Sequence, residues 1–307
     1  MSAMILGMTG MLLSGCGLVD PPGVPVVEAH RGAAGYWPQN SRTAMVGSVE
    51  AGYPGLEFDL VLTSDGVPVL SHEPWLHEDL CTTVDGEAIE GRVLIQDLSL
   101  ESLQADYVCG GVADEEFEDA EVLAEPIMSF AELLEVIEGS AEDMLLHIDV
   151  KYEPDGTTPD AAVMAEAVLD TWYDAALPNP WFVSANQPEA IEAFEAAADG
   201  DITTSLIWPR FHPDLNDTKI ALTTEFKSAM GLVEYVDEAR NCGADGIAVP
   251  YQLIDRRQVD AARDAELKVQ VWTPNTPEQL EEYCSWPVDS VITDFPDDAP
   301  CLAGEGT

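Results

Sequence analysis

The fold of this chain is constrained most by a repeated alternation of short apolar segments with helical stretches. Most of the apolar segments lack polar alternation, which is typical of parallel strands covered by helices. About eight strand–helix units in succession favour a (β/α)8 barrel over an open doubly wound sheet. The strand candidates are residues 24–29, 55–62, 67–72, 144–151, 181–185, 202–208, 245–249, 268–273 and 289–293. The helix candidates are residues 41–51, 129–139, 160–176, 188–198, 229–241, 254–265 and 277–284.

One segment, residues 73–125, interrupts this alternation after the third strand candidate. It is acidic and rich in loop-forming residues, so we expect a small insertion over one barrel mouth. Its stretch 114–125 is expected to be a solvated loop rather than a cation site. Together with this insertion, residues 26–300 form one predicted α/β domain, close to the roughly 250 residues of a TIM barrel.

The charge balance limits which partners the chain can have. It carries 12 Lys and Arg against 58 Asp and Glu, for a formal net charge of −46. Nucleic acids and anionic membrane surfaces are therefore poor partners. A substrate that bears phosphate would need a bound cation or a local clamp of Arg and Lys. Because concentrated salt screens self-repulsion, this composition also suggests a protein that works in brine.

The N-terminus suggests export. Residues 1–15 are uncharged and apolar but too short to span a bilayer, as in the core of a secretory signal. The sequence Leu13-Ser14-Gly15-Cys16 resembles a bacterial lipoprotein processing box, in which the cysteine is lipidated. Residues 16–25, rich in Pro and Gly, would then form a tether. We therefore expect a periplasmic or cell-surface protein whose membrane attachment is a lipid on Cys16.

The five remaining cysteines show neither a Cys-x-x-Cys pair nor a zinc-binding spacing. In an exported protein, Cys81 and Cys109 are plausible partners that close one loop-rich segment. A second bridge would join Cys284 to either Cys242 or Cys301, which leaves one odd thiol.

Ionisable residues stand near the ends of four strand candidates, where barrel enzymes carry their chemistry. Glu57 and Asp59 are separated by one residue, so both side chains point to the same face of their strand. Asp149 and Lys151 have the same spacing. The ionisable residues that these four segments bring toward one mouth are His30, Arg31, Glu57, Asp59, His72, Asp149 and Lys151.

These residue types together suggest a reaction at a phosphate. The carboxylates of Glu57, Asp59 and Asp149 would repel one another unless a cation lay between them. Three oxygen ligands suit Ca²⁺ or Mg²⁺ better than zinc. Arg31 and Lys151 supply the positive charge that phosphate oxygens need. Two histidines beside such a site are candidates for a general base and a general acid.

An ordered series of motifs resembles the signature of the glycerophosphodiester phosphodiesterase family. The family pattern is His-Arg-Gly, Pro-Glu-Asn-Thr, Glu-x-Asp, Thr-x-Asp-Gly-x-Pro-Val and His-Asp. Its counterparts here are His30-Arg31-Gly32, Pro38-Gln39-Asn40-Ser41, Glu57-Phe58-Asp59, Thr63-Ser64-Asp65-Gly66-Val67-Pro68-Val69 and His72-Glu73. Later matches are Pro126-Ile127-Met128-Ser129-Phe130, His147-Ile148-Asp149-Val150-Lys151, Val271-Trp272-Thr273-Pro274-Asn275 and Ile292-Thr293-Asp294-Phe295-Pro296. The resemblance covers about residues 26–297.

The resemblance implies a metal-dependent TIM barrel enzyme that cleaves glycerophosphodiesters to glycerol 3-phosphate and an alcohol. It assigns acid–base catalysis to His30 and His72, a divalent cation (Ca²⁺ or Mg²⁺) to Glu57, Asp59 and Asp149, and substrate binding to Arg31, Lys151 and Trp272. Two alternatives stay open. One is a phospholipase D-like enzyme that cleaves lyso- or sphingo-phospholipids, and the other is a catalytically silent cell-surface binding protein.

Three positions depart from the family pattern. Gln39 stands where the family usually has Glu, which removes a negative charge near the site and is expected to weaken metal affinity. Glu73 replaces an Asp after the second histidine, a change of one methylene. Asp149 replaces a common Glu among the implied metal ligands, and a water could make up for its shorter reach.

Overall fold

The computed structural model describes residues 23–114, 116–208 and 234–303. The predicted secretory signal and Cys16 lie outside these residues, as does most of the predicted tether. Within the described ranges, no helix is both long enough and apolar enough to cross a membrane.

Eight parallel strands close into a barrel, as the alternation in the sequence predicts. The strands of the described chain are β1 (Val26–Ala29), β2 (Gly55–Leu62), β3 (Pro68–Leu70), β4 (Cys81–Thr83), β5 (Tyr107–Cys109), β6 (Leu145–Val150), β7 (Trp181–Ala185), β8 (Thr204–Ile207), β9 (Gly246–Pro250), β10 (Lys268–Trp272) and β11 (Ser290–Thr293). The barrel order is β1, β2, β6, β7, β8, β9, β10 and β11, and β11 pairs with β1 to close the circle.

Helices lie between most of the barrel strands and cover them from outside. They are α1 (Arg42–Ala51), α2 (Leu100–Asp106), α3 (Phe130–Ile137), α4 (Ala161–Ala175), α5 (Pro188–Ala197), α6 (Glu234–Cys242), α7 (Arg256–Asp264) and α8 (Pro277–Cys284). Local sequence sets several of their starts. At α3, for example, the Ser129 hydroxyl accepts a hydrogen bond from the Glu132 backbone, and the Glu132 carboxylate accepts one in return. The first part of the predicted helix 229–241 lies outside the described residues.

The outer faces of the strands form the hydrophobic core with the helices. Phe58 on β2, for instance, is fully buried and contacts the ring of Phe130 on α3. Burial of such large side chains is the main stabilising contribution to a fold of this kind.

The barrel interior is more polar than the predicted strands, which were expected to be apolar on both faces. The His147 ring lies 2.6 Å from Glu28 Oε2 and 2.7 Å from the Ser184 hydroxyl, while Ser205 donates a 2.6 Å hydrogen bond to Gln270. All five side chains are buried. Their hydrogen bonds offset part of the cost of removing them from water, so this interior holds a polar layer where bulky branched side chains dominate in many barrels.

The predicted turn at Asp65-Gly66 forms a hairpin, in which β3 runs antiparallel to β2 outside the barrel order. Gly66 has a φ of +77°, a conformation that glycine adopts without strain. The strand predicted at 67–72 is shorter than expected, because only Pro68–Leu70 pairs with β2.

The insertion at residues 73–125 packs around a small hydrophobic cluster that it shares with Val61 of β2 and Val69 of β3. Strands β4 and β5 pair antiparallel, and the Cys81–Cys109 disulfide joins them. Helix α2 lies between these strands in the chain. Ile95 and Leu103 are fully buried in this satellite core.

The second disulfide is Cys284–Cys301, which links the end of α8 to the C-terminal segment of the described chain. Of the two pairings that the sequence leaves open for Cys284, the structure has this one. Cys242 is the odd thiol and is buried.

Candidate active site

All eight predicted site residues lie at one mouth of the barrel. A cavity of about 860 Å³ opens there, and Asp59 lies buried beside it. The other predicted residues line its wall: His30, Arg31, Glu57, His72, Asp149, Lys151 and Trp272. The strands bring these residues together because the carboxyl ends of parallel barrel strands meet at the same face.

The three carboxylates form a compact cluster between β2 and β6. Asp59 stands beside Asp149 in the register of these paired strands. Glu57, Asp59 and Asp149 are buried, and each offers an oxygen within 4.8 Å of the others. Burial and the charge of Asp59 raise the pKa of Glu57 to about 8. An added positive charge would therefore stabilise the ionised cluster.

The cluster fits a divalent cation. Its ligand atoms are all carboxylate oxygens, the type that Ca²⁺ and Mg²⁺ prefer. Asp149 Oδ1 is buried and has no hydrogen-bond partner among the residues that the structure describes, so it can serve as a ligand without breaking a bond seen there. Glu57, Asp59 and Asp149 are thus the residues that could hold the metal.

Two side-chain cations compensate part of this charge. Lys151 Nζ lies 2.8 Å from Asp59 Oδ1 and 2.5 Å from Asp149 Oδ2. Burial would lower the pKa of Lys151, but Asp149 and Asp59 outweigh it and raise the pKa above its usual range. The same ion pair outweighs burial at Asp59 and holds its pKa well below the usual range. Arg31 Nε lies 3.5 Å from Asp59 Oδ2.

His30 is oriented by Asp294, a residue in the loop after β11. His30 Nδ1 lies 2.7 Å from Asp294 Oδ1, and Asn275 donates a 2.6 Å hydrogen bond to Asp294 Oδ2. His30 Nε2 is 4.0 Å from Glu57 Oε2 and so faces the carboxylate cluster. Burial would lower the pKa of His30, but the charge of Asp294 outweighs it, and the pKa is raised. The protonated form is therefore favoured.

His72 has the opposite electrostatic environment. Its Nδ1 lies 2.9 Å from Glu73 Oε1. Burial and the positive charges of Arg31 and Lys151 lower the pKa of His72 to about 4. It is therefore neutral at neutral pH and able to accept a proton. A pair of histidines whose pKa values are shifted apart is suited to divide acid and base roles between its members.

Sequence reasoning missed three residues that support this site. Asn40 donates a 2.7 Å hydrogen bond to Asp59 Oδ2 and accepts one from the Asp59 backbone. Asp294 and Asn275 hold His30, as described above. All three occur in the quoted motifs but received no role. The signal was available for Asp294, because it directly follows a strand, as His30 does.

Gln39 is hydrogen-bonded to Arg31 and Asp114 rather than to the carboxylate cluster. Arg31 Nη1 donates a 2.6 Å hydrogen bond to Gln39 Oε1, and Gln39 Nε2 donates one to Asp114. The expected effect of this position on metal affinity would therefore be indirect.

A (β/α)8 barrel with buried carboxylates, two cations and two histidines at the C-terminal ends of its strands defines a hydrolase of anionic esters. The chain belongs to the glycerophosphoryl diester phosphodiesterase family, whose model matches residues 30–298. Membership places it among the phosphoric diester hydrolases.

Similar proteins match this chain over nearly its whole length. An uncharacterized Bacillus subtilis protein, YqiK, is 24% identical over 90% of this chain and 97% of its own. Among solved structures, a protein from Silicibacter pomeroyi DSS-3 that is assigned as a glycerophosphoryl diester phosphodiesterase aligns with a TM-score of 0.76. It is 23% identical and the match covers 93% of this chain and 95% of that one.

An Oleispira antarctica phosphodiesterase, whose structure contains the product sn-glycerol-3-phosphate, aligns with a TM-score of 0.68. It is 20% identical, with 92% of this chain and 98% of that one covered. At such identities, the structural likeness shows the common fold.

Proposed function

We propose that this protein hydrolyses glycerophosphodiesters to glycerol 3-phosphate and an alcohol. The observation that carries the proposal is that His30 and His72 line one cavity with their pKa values shifted in opposite directions. Family membership and the product bound to the Oleispira antarctica relative support the choice of substrate class.

In this proposal, neutral His72 accepts a proton from the attacking water molecule as the water oxygen bonds to phosphorus. His30, whose protonated form is stabilised by Asp294, gives its proton to the alkoxide as the bond between phosphorus and the alcohol breaks. Arg31 and Lys151 bind the phosphoryl oxygens, and Trp272 forms a wall of the substrate cavity. General acid–base catalysis of this kind contributes on the order of 10²–10⁴ in rate for each group.

A divalent cation, Ca²⁺ or Mg²⁺, would be held by Glu57, Asp59 and Asp149. Bound there, it would supply positive charge that stabilises the developing negative charge on the phosphoryl oxygens. Part of the protein's own contribution is to keep Asp59 ionised and oriented, which Lys151 and Asn40 do through their contacts with it.

A second candidate, cleavage of lyso-phospholipids by the same groups, is favoured by one observation. Val112, Val122 and Leu123 of the insertion are exposed apolar side chains. Val112 also lines a smaller cavity that His72 shares. An apolar rim beside the mouth could accept part of an acyl chain.

The decisive experiment measures release of glycerol 3-phosphate from glycerophosphocholine in high salt, with Ca²⁺ or Mg²⁺ and with or without EDTA. We expect release that EDTA abolishes and that His72→Ala reduces by at least about 100-fold. Cleavage of lysophosphatidylcholine alone would favour the second candidate. Absence of turnover on both substrates, in low and high salt, would refute the proposed activity.

We also propose that the protein is exported and anchored through a lipid on Cys16. The proposal is supported by the sequence of residues 1–16 and by two disulfides, which are typical of oxidising compartments. Cell fractionation of wild type and Cys16→Ser tests it. We expect the wild type in the membrane fraction and the variant in a soluble form, and identical distributions would contradict the anchor.

A further inference from the structure

The side chain of Gln39 links the acidic segment at residues 114–125 to Arg31, the residue proposed to bind phosphate. Arg31 Nη1 donates a 2.6 Å hydrogen bond to Gln39 Oε1, and Gln39 Nε2 donates a 3.1 Å hydrogen bond to Asp114 Oδ2. Gln39 thus links Arg31 of the barrel to Asp114 of the insertion. The segment is not simply the solvated loop that its composition suggested.

The direction of these hydrogen bonds explains why an amide stands at position 39. The Gln39 oxygen accepts from a guanidinium, while the Gln39 nitrogen donates to a carboxylate. An ionised Glu, the usual family residue at this position, could accept from Arg31 but has no proton to donate to Asp114. It would also place two negative charges within hydrogen-bonding distance of each other.

The neutral amide also leaves more of the positive charge of Arg31 available to a phosphate. Its guanidinium already has one carboxylate neighbour, Asp59, at 3.5 Å. A Glu at position 39 would add a second carboxylate and neutralise more of the positive charge that a phosphate needs. In a chain of net charge −46, that loss would be felt strongly by an anionic substrate.

The neighbours of Asp114 hold the same segment against the barrel. The Glu116 backbone N–H donates to Asp114 Oδ1 at 2.9 Å, so both oxygens of this carboxylate are used. Phe117 packs edge-on against Phe295, with ring centroids 5.9 Å apart, and the Glu121 backbone N–H donates to the Tyr36 carbonyl. The position of Asp114 is therefore set by its hydrogen bond with Gln39 and by these contacts on its C-terminal side.

We propose that Asp114 is a positioning residue for phosphate binding, which acts through Gln39 to orient the guanidinium of Arg31. The insertion is thereby part of the substrate-binding apparatus, and its docking and the affinity for phosphate are coupled. This inference rests on the proposed function, because that function gives Arg31 its phosphate ligand.

The test exchanges the donor and acceptor of the Gln39–Asp114 hydrogen bond. Gln39→Glu should undock the segment, raise KM for glycerophosphocholine roughly ten-fold and leave kcat less affected, as expected when ground-state binding is lost. Adding Asp114→Asn restores a donor opposite the new carboxylate. The double variant should regain most of the affinity.

Hydrogen exchange of residues 110–121 provides a readout that does not need turnover. Exchange should be faster in Gln39→Glu and return toward the wild-type rate in the double variant. The matched control adds Asp119→Asn to Gln39→Glu, because Asp119 is an exposed carboxylate on the same segment. This control changes the charge equally but should not rescue.

Unchanged exchange and KM in Gln39→Glu would overturn the inference, as would equal rescue by Asp119→Asn. If the wild type turns over no glycerophosphodiester, the proposed function fails separately. The exchange pattern and the dissociation constant of glycerol 3-phosphate for the same variants would then still show whether docking of the insertion and phosphate affinity are coupled. A two-fold or smaller change in that constant would refute it.

Discussion

Asp294 illustrates how one buried carboxylate can set the protonation of a histidine. It holds His30 Nδ1 at 2.7 Å and is itself held by Asn275. In Asp294→Asn the negative charge is lost, so the pKa of His30 should fall and less of it would be protonated. We expect kcat to drop by about 10²-fold, the scale at which groups that orient a catalytic ligand or histidine act.

An NMR titration of His30 alongside the kinetics checks this prediction. The expected result is a lower pKa for His30 in Asp294→Asn, together with an unchanged thermal midpoint. If the pKa of His30 falls but kcat stays at the wild-type value, His30 is not the general acid. If the pKa of His30 is unchanged, Asp294 does not set the protonation of His30.

Glu57 makes metal binding depend on pH. Its pKa is raised to about 8 by burial and by Asp59, so most molecules hold a proton there at pH 6. A carboxylate must lose that proton to bind a metal. The apparent affinity for Ca²⁺ or Mg²⁺ should therefore rise about 100-fold between pH 6 and pH 9 and level off above. Calorimetric titration at several pH values measures this, and a flat profile would contradict it.

The sequence predicted which residues meet at the barrel mouth better than it predicted their contacts. Strand ends and motif order were enough for the histidines, carboxylates and cations at the mouth. The bond between His30 and Asp294 joins residues 264 positions apart. No local pattern indicates which strand ends face each other across a mouth, so the supporting roles of Asp294 and Gln39 needed the structure.

At the scale of elements, the Cys81–Cys109 disulfide closes a 28-residue separation within the insertion. Its removal in the double variant to Ser should cost about 3 kcal/mol, mainly through the entropy of the unfolded segment. We expect the loss to concentrate in β4, β5 and α2, since these elements share a hydrophobic cluster that reaches the barrel sheet only through Val61 of β2 and Val69 of β3 in the described residues.

Hydrogen exchange mapped along the chain tests where that loss falls. The matched control is the double Ser variant of Cys284 and Cys301, which should instead loosen the end of α8. Equal loosening of β1 and β11 in the Cys81–Cys109 variant would show that the insertion is not an independent unit of stability.

Helix α3 offers a prediction about acid stability. Burial would raise the pKa of Glu132, but its hydrogen bonds from Ser129 lower it below the usual 4.5. A group of this kind stabilises the folded state above its ordinary pKa and ceases to do so as the pH falls through the folded-state value. Glu132→Gln should therefore lower the unfolding free energy at pH 7 by about 1 kcal/mol or less.

Chemical denaturation of wild type and Glu132→Gln at pH 7 and in steps toward pH 3 measures the difference. The two stabilities should converge as the pH falls. A difference that is constant across this range would assign the effect to packing instead of charge.

The barrel strands and helices were predictable because each has a typical length, a regular pattern of apolar residues and a capping or turn residue at its boundary. The observed α8 has the predicted bounds, and Ser41, a good cap, marks the start of α1. Helix α2 was missed, because it is only 7 residues long and lies in an acidic segment with weak periodicity. The polar layer inside the barrel was also missed. Ser and Gln occur too rarely in the strands to indicate that their inner faces are polar.

For the whole molecule, the net charge is expected to make stability depend on salt. With a formal charge of −46, self-repulsion is long-ranged at 10 mM salt, where the Debye length is about 30 Å, and is screened at 1 M, where it is about 3 Å. We expect the thermal midpoint and the activity to rise between these conditions. Melting curves in NaCl and KCl at equal ionic strength measure the effect, and equal stability at both concentrations would refute adaptation to brine.

The charged groups proposed for chemistry are distributed unevenly around the barrel mouth. In the described part of the chain, these groups lie on or shortly after β1, β2, β3, β6 and β11, and none comes from β7, β8 or β9. Evolution could therefore rebuild the loops after those three strands without disturbing the acid, the base or the metal ligands. Descendants of one ancestral enzyme could in this way acquire different head-group preferences while retaining a common reaction.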